Sequence, residues 1–437
     1  MKTKTQKFKQ TEIGEIPEDW NILRIGNLGR VITGKTPPTK DMGNYNGNIP
    51  FVCIPDLGKS VYIAETNKTL SEKGALAVKN CLLPENAIVV SCIATIGLTG
   101  ITKKPSVTNQ QINSIIPNDR VTPRFLYYRL QNFKQILSSY GSGGSVFNIV
   151  SKSKFENIIL AIPPVSEQQR IASILSSLDD KIELNRQMNK TLEEIGKALF
   201  KRWFVDFEFP NDEGKPYKSS GGEMVESELG MIPKGWEVAT LPQVAKIQKG
   251  LSYKGKDLVD SAGIALVGLK CFERGGGFRK DGIKFYKGDY KEEHKLKTGN
   301  LIVAMTDLTQ AAEVLGKPAL VPTIPEVTTL VASLDLSIIK PTTEGIDEYY
   351  LYLLLSRRES QDFLFGYSNG STVLHLSAKG LQEFKLIKPQ EGVLRDFQEL
   401  NRALFNRLMI LDIENTDLAA IRDSILPRLM SGKLRVN

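Results

Sequence analysis

Glu12-Ile-Gly-Glu-Ile-Pro-Glu-Asp-Trp20 returns as Glu228-Leu-Gly-Met-Ile-Pro-Lys-Gly-Trp236, with the two tryptophans 216 positions apart. Working outward, Gly34 meets Gly250 at the same offset, and Ile49-Pro-Phe-Val-Cys-Ile parallels Ile264-Ala-Leu-Val-Gly-Leu. Glu85-Asn-Ala-Ile-Val-Val parallels Gly299-Asn-Leu-Ile-Val-Ala, and Ser114-Ile-Ile-Pro meets Ser337-Ile-Ile-Lys after an insertion in the second copy. Tyr140-Gly-Ser-Gly-Gly-Ser corresponds to Tyr367-Ser-Asn-Gly-Ser, and each copy closes on a strand ending in Pro. A repeat this long is a duplicated domain and not a solenoid unit. Each copy reads as a mixed α/β globule of roughly 160–180 residues. Runs such as Ile88-Val-Val-Ser-Cys and Leu301-Ile-Val-Ala-Met alternate with turn signals as strands do. One helix per copy stands out: Phe125 to Leu137, with Thr122 as N-cap and Pro123 at its first position, and Tyr349 to Phe365.

After each globule the apolar period changes to seven. Behind Pro163-Pro164, Ser166 and Gln169 make a capping box. Ile171, Leu178, Asn185, Leu192 and Leu199 then fall seven apart. Ile174, Met188 and Ile195 supply a second row, interrupted by Lys181 and Arg202 and flanked by Leu175 and Ile182. The second copy ends alike, with Phe397, Leu404, Leu411, Leu418 and Ile425 in register and Leu400, Leu408, Ile421 and Leu429 beside them. Pro427 is expected to bend or end that helix. This is coiled-coil spacing, and Asn185 in the seam is the kind of polar residue that fixes register. Helices of about 35–40 residues are some 55 Å long, and two such stripes bury most simply against each other, antiparallel. Two similar heads on one rod suit duplex DNA with half-sites ~34 Å or more apart.

Composition agrees with a folded protein of two or three domains: 437 residues, 41% hydrophobic, 24% charged. Fifty-seven Lys and Arg against 49 Asp and Glu leave +8, which suits a polyanion partner without demanding one. Met1 to Gln10 is basic and polar, unlike a secretory signal, and no run of 18 apolar residues spans a membrane. Cys53, Cys81, Cys92 and Cys271 show no CxxC pair and no nearby His, so reduced, buried thiols in the cytoplasm are expected.

Read together, the chain resembles the specificity subunits of type I restriction–modification complexes over essentially its full length. The residues that carry the resemblance are Ile13-Gly-Glu-Ile-Pro-Glu-Asp-Trp20, Pro163-Pro-Val-Ser-Glu-Gln-Gln-Arg-Ile171, Leu199-Phe-Lys-Arg-Trp-Phe-Val-Asp-Phe207 and Leu426-Pro-Arg-Leu-Met-Ser-Gly-Lys-Leu-Arg435. It implies an α+β chain of two tandem target-recognition domains, separated and joined by two long antiparallel coiled-coil helices with pseudo-two-fold symmetry. The expected boundaries are 1–163, 164–208, 209–390 and 391–437. It implies that each domain reads one half of a bipartite double-stranded DNA target, that the helices dock two methyltransferase (M) subunits, and that restriction (R) subunits join through them. S-adenosylmethionine, ATP and Mg then belong to those partners, and this chain has no cofactor, no metal and no catalytic residue of its own. The rival reading is a coiled-coil protein adaptor without sequence-specific DNA binding.

Catalytic motifs are scarce. Gly29-Arg-Val-Ile-Thr-Gly-Lys-Thr36 matches the phosphate-binding loop pattern, but Pro37-Pro38 follow where a helix must start, and no buried strand precedes it. The second copy, Ile247-Gln-Lys-Gly-Leu-Ser, lacks the pattern. Ile162-Pro-Pro-Val165 offers no amide or carboxylate to hold an extruded base, and His294 and His375 are the only histidines. For DNA contact the candidates are Lys103, Lys104, Asn109, Gln110 and Gln111, with Ser142 and Ser145 in the first glycine loop. Lys270, Arg274, Arg279 and Lys280 stand around Gly275-Gly-Gly277 in the second copy. Lys and Arg neutralise phosphate or read guanine, Asn and Gln pair with adenine, and glycine loops bring backbone close to phosphate. The stretch 211–222 reads as turn and linker.

Overall fold

The computed structural model describes residues 7–131, 149–261, 263–309, 311–324 and 327–436. Contacts divide the chain into two units, Met1–Leu184 with Asn415–Asn437, and Asn185–Glu414. The divisions fall inside the two long helices, so each unit holds a globular domain and a piece of both.

In the first unit a hairpin of Phe8–Thr11 and Gly14–Pro17 leads to Trp20, which is fully buried. Asn21–Arg24 pairs with Ile159–Ile162, returning the chain beside its entry point. Ile88–Ser91 is central in a sheet whose order is Gly29–Thr33, Ile112–Pro117, Ile88–Ser91, Thr99–Thr102, Tyr62–Ile63. Its β-branched run alternates between two cores: Ile88 and Val90 join Trp20, Phe125 and Tyr128, while Val89 faces Val52 and Leu83. A second sheet orders Thr69–Leu70, Tyr45–Val52, Ser106–Thr108 and Leu82–Leu83, and its Tyr45–Val52/Ser106–Thr108 pair is parallel.

The second unit repeats this order. Met224–Ser227 and Gly230–Pro233 form the hairpin, and Glu237–Thr240 pairs with Lys385–Lys388. Ala245–Lys249, Leu336–Pro341, Leu301–Ala304 and Pro318–Leu320 make the main sheet. Leu301 and Val303 face one core and Ile302 and Ala304 the other. The parallel pair recurs as Ile264–Val267 with Leu330–Ala332. Gly34 and Gly250 match for a physical reason: a Cβ on Gly34 would lie 2.2 Å from the Asn109 carbonyl oxygen, and on Gly250 2.1 Å from that of Ser333. Both domains bring backbone against backbone at this point, and only glycine fits.

Several local expectations are corrected. The first domain's helix is described over Pro123–Gln131, and the rest of its expected length lies outside the described residues. Thr122 does not cap it through its hydroxyl, which is buried without a partner; its N–H is taken by Gln168 Oε1 at 2.9 Å. The stretch Tyr349 to Phe365 is two helices, Glu348–Leu355 and Arg358–Phe365. Ser360 Oγ and Gln361 Nε2 donate to the carbonyls of Leu354 and Leu355 at the break. The stretch 211–222 forms a turn, as expected, in which Asn211 N donates to Lys215 O and Tyr217 stacks on Phe209 at 4.6 Å.

The long helices run Val165–Phe204 and Glu391–Met430, 40 residues each. The first starts at Val165, its opening N–H groups bonding to Pro164 O, so the Ser166–Gln169 capping box is not formed. Pro427 neither ends nor breaks the second, which continues to Met430. Within each unit the helices are antiparallel. Asp179 pairs with Arg422 and Glu167 with Arg435 in the first, and Asn185 with Glu414 and Phe204 with Phe397 in the second. In the rows through Ile171 and Phe397, Ile171, Asn185, Phe397 and Leu411 are buried and Leu178, Leu192, Leu199, Leu404, Leu418 and Ile425 half-buried. The companion rows stand only in part: Leu408 and Leu429 are buried, at 7% and 0%. Ile174 and Ile195 are 38% and 46% exposed, as are Leu400 and Ile421 at 48% and 50%. The inner companions are Leu175, Ile182, Asn189, Gly196 and Trp203 on the first helix, and Leu394, Asn401, Leu408, Asn415, Arg422 and Leu429 on the second. Ile171 is followed by its partner row four residues on, not three. On the first helix apolar character pointed to the wrong row because the true one carries Asn189 and Gly196; on the second it mixed two rows, since Leu408 and Leu429 belong to the inner one, which also carries Asn401, Asn415 and Arg422.

Candidate nucleic-acid interface

The phosphate-loop look-alike is excluded by its surroundings. Gly29–Thr33 is a strand paired to Ile112–Pro117, and Gly29 lies there because a Cβ would come within 2.2 Å of Ile116 O. Among the described residues no group of three or more His, Cys, Asp or Glu could hold a metal ion, and no helix is long and apolar enough to cross a membrane. Cys92 and Cys271 are buried, which pushes their thiols up to about 11, while Cys53 and Cys81 are half-buried.

In the first domain Lys103 and Lys104 are exposed, just past the strand Thr99–Thr102. Asn109 and Gln111 bond to each other: Asn109 Nδ2 donates to Gln111 Oε1 and Asn109 Oδ1 accepts from Gln111 N, both at 3.1 Å. Gln110 is exposed and accepts from Thr36 Oγ1 at 2.6 Å. Ser142 and Ser145 lie outside the described residues.

In the second domain Lys270 is exposed on a single turn, Leu269–Cys271. Arg279 makes a two-pronged bond with Asp281, at 2.5 and 2.8 Å, and Lys280 Nζ binds Asp412 on the second long helix at 2.9 Å. Arg274 remains 81% exposed on its side chain, 3.2 Å from Glu313. The Gly275-Gly-Gly277 turn is anchored and does not swing. All three residues have positive φ, Gly275 N donates to Glu313 O and Gly277 N to Pro318 O.

Those bonds tie Arg274 to a segment that sequence reading missed, the loop between Leu301–Ala304 and Pro318–Leu320. Its organiser is Asp307, whose buried carboxylate accepts from Thr309 N and Oγ1, Val314 N and Leu315 N at 2.7–3.2 Å. Burial alone would raise its pKa, but those donors outweigh it and hold the carboxyl below the usual value. The loop presents Leu308, 68% exposed, and pairs through Thr306–Asp307 with Leu374–Leu376, which also pairs with Ser368–Asn369. Arg274, Leu308, Lys317 and the polar hairpin 368–376 thus sit on or around one rigid loop. The only sequence signal was the glycine-serine run at 368–371, whose Gly370 makes the hairpin tight.

Residues 17–194 match a family model described as the type I restriction modification DNA specificity domain. The chain is 32% identical over 447 residues to the type I restriction enzyme MjaIX specificity subunit of Methanocaldococcus jannaschii, covering 98% of this chain and 97% of that protein. It is 38% identical over 195 residues to the HindI specificity subunit of Haemophilus influenzae, covering 43% and 41% of the two. In fold it resembles the crystal structure of a type I restriction–modification S subunit from M. genitalium, with a TM-score of 0.50 at 14% identity over 98% and 99% of the chains.

Proposed function

Because the chain belongs to the type I restriction enzyme specificity subunits, the non-catalytic, DNA-binding component of these restriction–modification systems, we propose that its two domains each read one half of a split duplex target. The carrying observation is the duplication itself. Two domains that share a four-strand order in the main sheet, the same parallel strand pair and the same glycine contact are two readers of one design. Lys103, Lys104 and Gln110 in the first domain, with Lys270 and Arg274 in the second, contact phosphate and base edges. Asn109, Gln111, Arg279 and Lys280, bonded within the chain, shape those surfaces.

The long helices dock two methyltransferase subunits. Support comes from the large apolar side chains left outside the helix seam, Ile174, Ile195, Leu400, Ile410 and Ile421, each 38–53% exposed. S-adenosylmethionine, ATP and Mg act in the methyltransferase and restriction subunits, and the complex works on cytoplasmic DNA. The test is a gel shift and methylation map with this chain and its methyltransferase subunit on random-sequence duplexes. One two-part motif is expected. Sequence-indifferent binding would leave the adaptor reading standing instead.

A further inference from the structure

The two domains share one more position. In the second, Thr306 pairs with His375 and Leu376 N donates to Met305 O at 2.8 Å. In the first, Ile93 pairs with Ile149 and Val150 N donates to Cys92 O at 3.0 Å. Ile93 and Thr306 each stand two residues past the corresponding central strand, Ile88–Ser91 or Leu301–Ala304. Ser151 and Ser377, two residues past Ile149 and His375, both cap the next helix. Ile149 and His375 are therefore the same site in the two copies. Both are exposed, Ile149 by 50%.

The loop that follows Ile93 and Thr306 is strained in both copies. Ala94 has φ 60° and Ala312 φ 49°, a left-handed backbone that alanine disfavours. The two alanines stand at different points of the loop, one residue past Ile93 and six past Thr306, and backbone of this kind clusters at functional sites. In the second domain the Asp307 carboxylate fixes this loop, and Thr306 Oγ1 shares a 3.3 Å hydrogen bond with His375 Nδ1. That bond engages Nδ1 and orients the ring.

Resting on the DNA-reading function proposed above, we propose that Ile149 and His375 are specificity-determining residues, one for each half of the target. The imidazole Nε2 of His375 hydrogen-bonds a base edge, and the Ile149 side chain packs on a thymine methyl group. Thr306 is a positioning residue for the imidazole. Equivalent sites with different chemistry let one fold read two different half-sites.

The test uses the full chain assembled with its methyltransferase subunit, mapping methylated motifs in a random-sequence library. His375→Ala is expected to relax one base pair by about tenfold in one half-site and leave the other half-site intact. Ile149→Ala relaxes one pair in the opposite half. Thr306→Val partly relaxes the pair read by His375, and Thr306→Ser restores it. Motifs identical to the unaltered chain in both alanine variants overturn the proposal, as does complete loss of methylation with an unchanged melting curve. If the unaltered chain marks no split motif, it is the DNA-reading function that fails.

Discussion

Trp20 Nε1 donates a 3.0 Å hydrogen bond to Glu167 Oε2, joining the opening motif of the first domain to the first turn of the first long helix. Glu167 is 2% exposed, and Arg435 completes its shell with bonds of 2.5 and 2.8 Å while also gripping Asp19. The second domain solves the same junction without charge. Val393 holds the third position of its helix, as Glu167 does in the first, and Trp236 stacks on Phe209 at 4.9 Å.

Removing Glu167 leaves the Trp20 indole N–H without its acceptor and Arg435 with Asp19 as its remaining carboxylate partner. Glu167→Ala is expected to cost about 3 kcal/mol in the unfolding transition of the first unit, measured by urea titration with circular dichroism. Glu167→Val, copying the second helix, should be as damaging alone and recover in part when Arg435→Phe accompanies it. Equal stability of all three chains would contradict the lock.

Asp179 accepts from Arg422 Nη1 at 2.6 Å and from the Tyr128 hydroxyl at 2.7 Å. Burial, reinforced by the Asp179 charge, pushes the Tyr128 phenol well above its usual value, so it stays a donor. Arg422→Met leaves a buried carboxylate with one partner fewer. A double-mutant cycle with Asp179→Leu should show coupling of about 1–3 kcal/mol, and strict additivity would contradict it.

Acid should loosen specific places. Asp307 and Asp19 both have carboxyl pKa values below the usual 3.8. In Asp307 backbone donors overcome burial, and in Asp19 the Arg435 hydrogen bond is the main cause. A lowered folded-state pKa contributes stability that is complete above 3.8 and is lost as pH falls through the folded value. Protection of the amides in residues 306–309 and 311–315, corrected for intrinsic exchange, should therefore fall as pH drops below 3.8, and Asp307→Asn should be poorly protected even at pH 6. A pH-independent pattern in the unaltered chain would count against the assignment.

Gly34→Ala and Gly250→Ala should each destabilise their own domain by about 2–3 kcal/mol, read as a lowered melting temperature. Gly14→Ala is not a neutral control because of its φ of 97°. Gly392→Ala, with nothing within 4 Å, is.

Charging the outer face of the helices should separate stability from assembly. Ile195→Asp and Leu400→Asp are expected to leave the melting curve within about 0.5 kcal/mol and abolish co-purification of the methyltransferase subunit. Full retention of that subunit would move its docking surface elsewhere.

The duplication, the two seven-residue periods and the chain's resemblance to specificity subunits were all legible in the residues, because each is a linear pattern. Repetition at a fixed offset survives divergence at positions such as Trp20, Trp236, Gly34 and Gly250, where backbone or a large ring leaves no alternative. The inner companion rows were legible only in part, through Leu408 and Leu429. A helix offers apolar residues on both sides of Ile171, and the true partner row holds Asn189, Gly196, Asn401 and Arg422, whose burial depends on partners far along the chain. The same holds for Lys280, whose carboxylate partner Asp412 lies on the second long helix.

What sequence alone determined was the number of domains, their order and the helices that follow them, since these depend on local periodicity and duplication. Which side chains meet was decided by tertiary structure: Glu167 with Trp20 and Arg435, Asp307 with its loop N–H groups, and His375 beside Thr306. Burying a polar group is tolerable only where donors and acceptors converge from separate segments, and that convergence has no signature along a single line of residues.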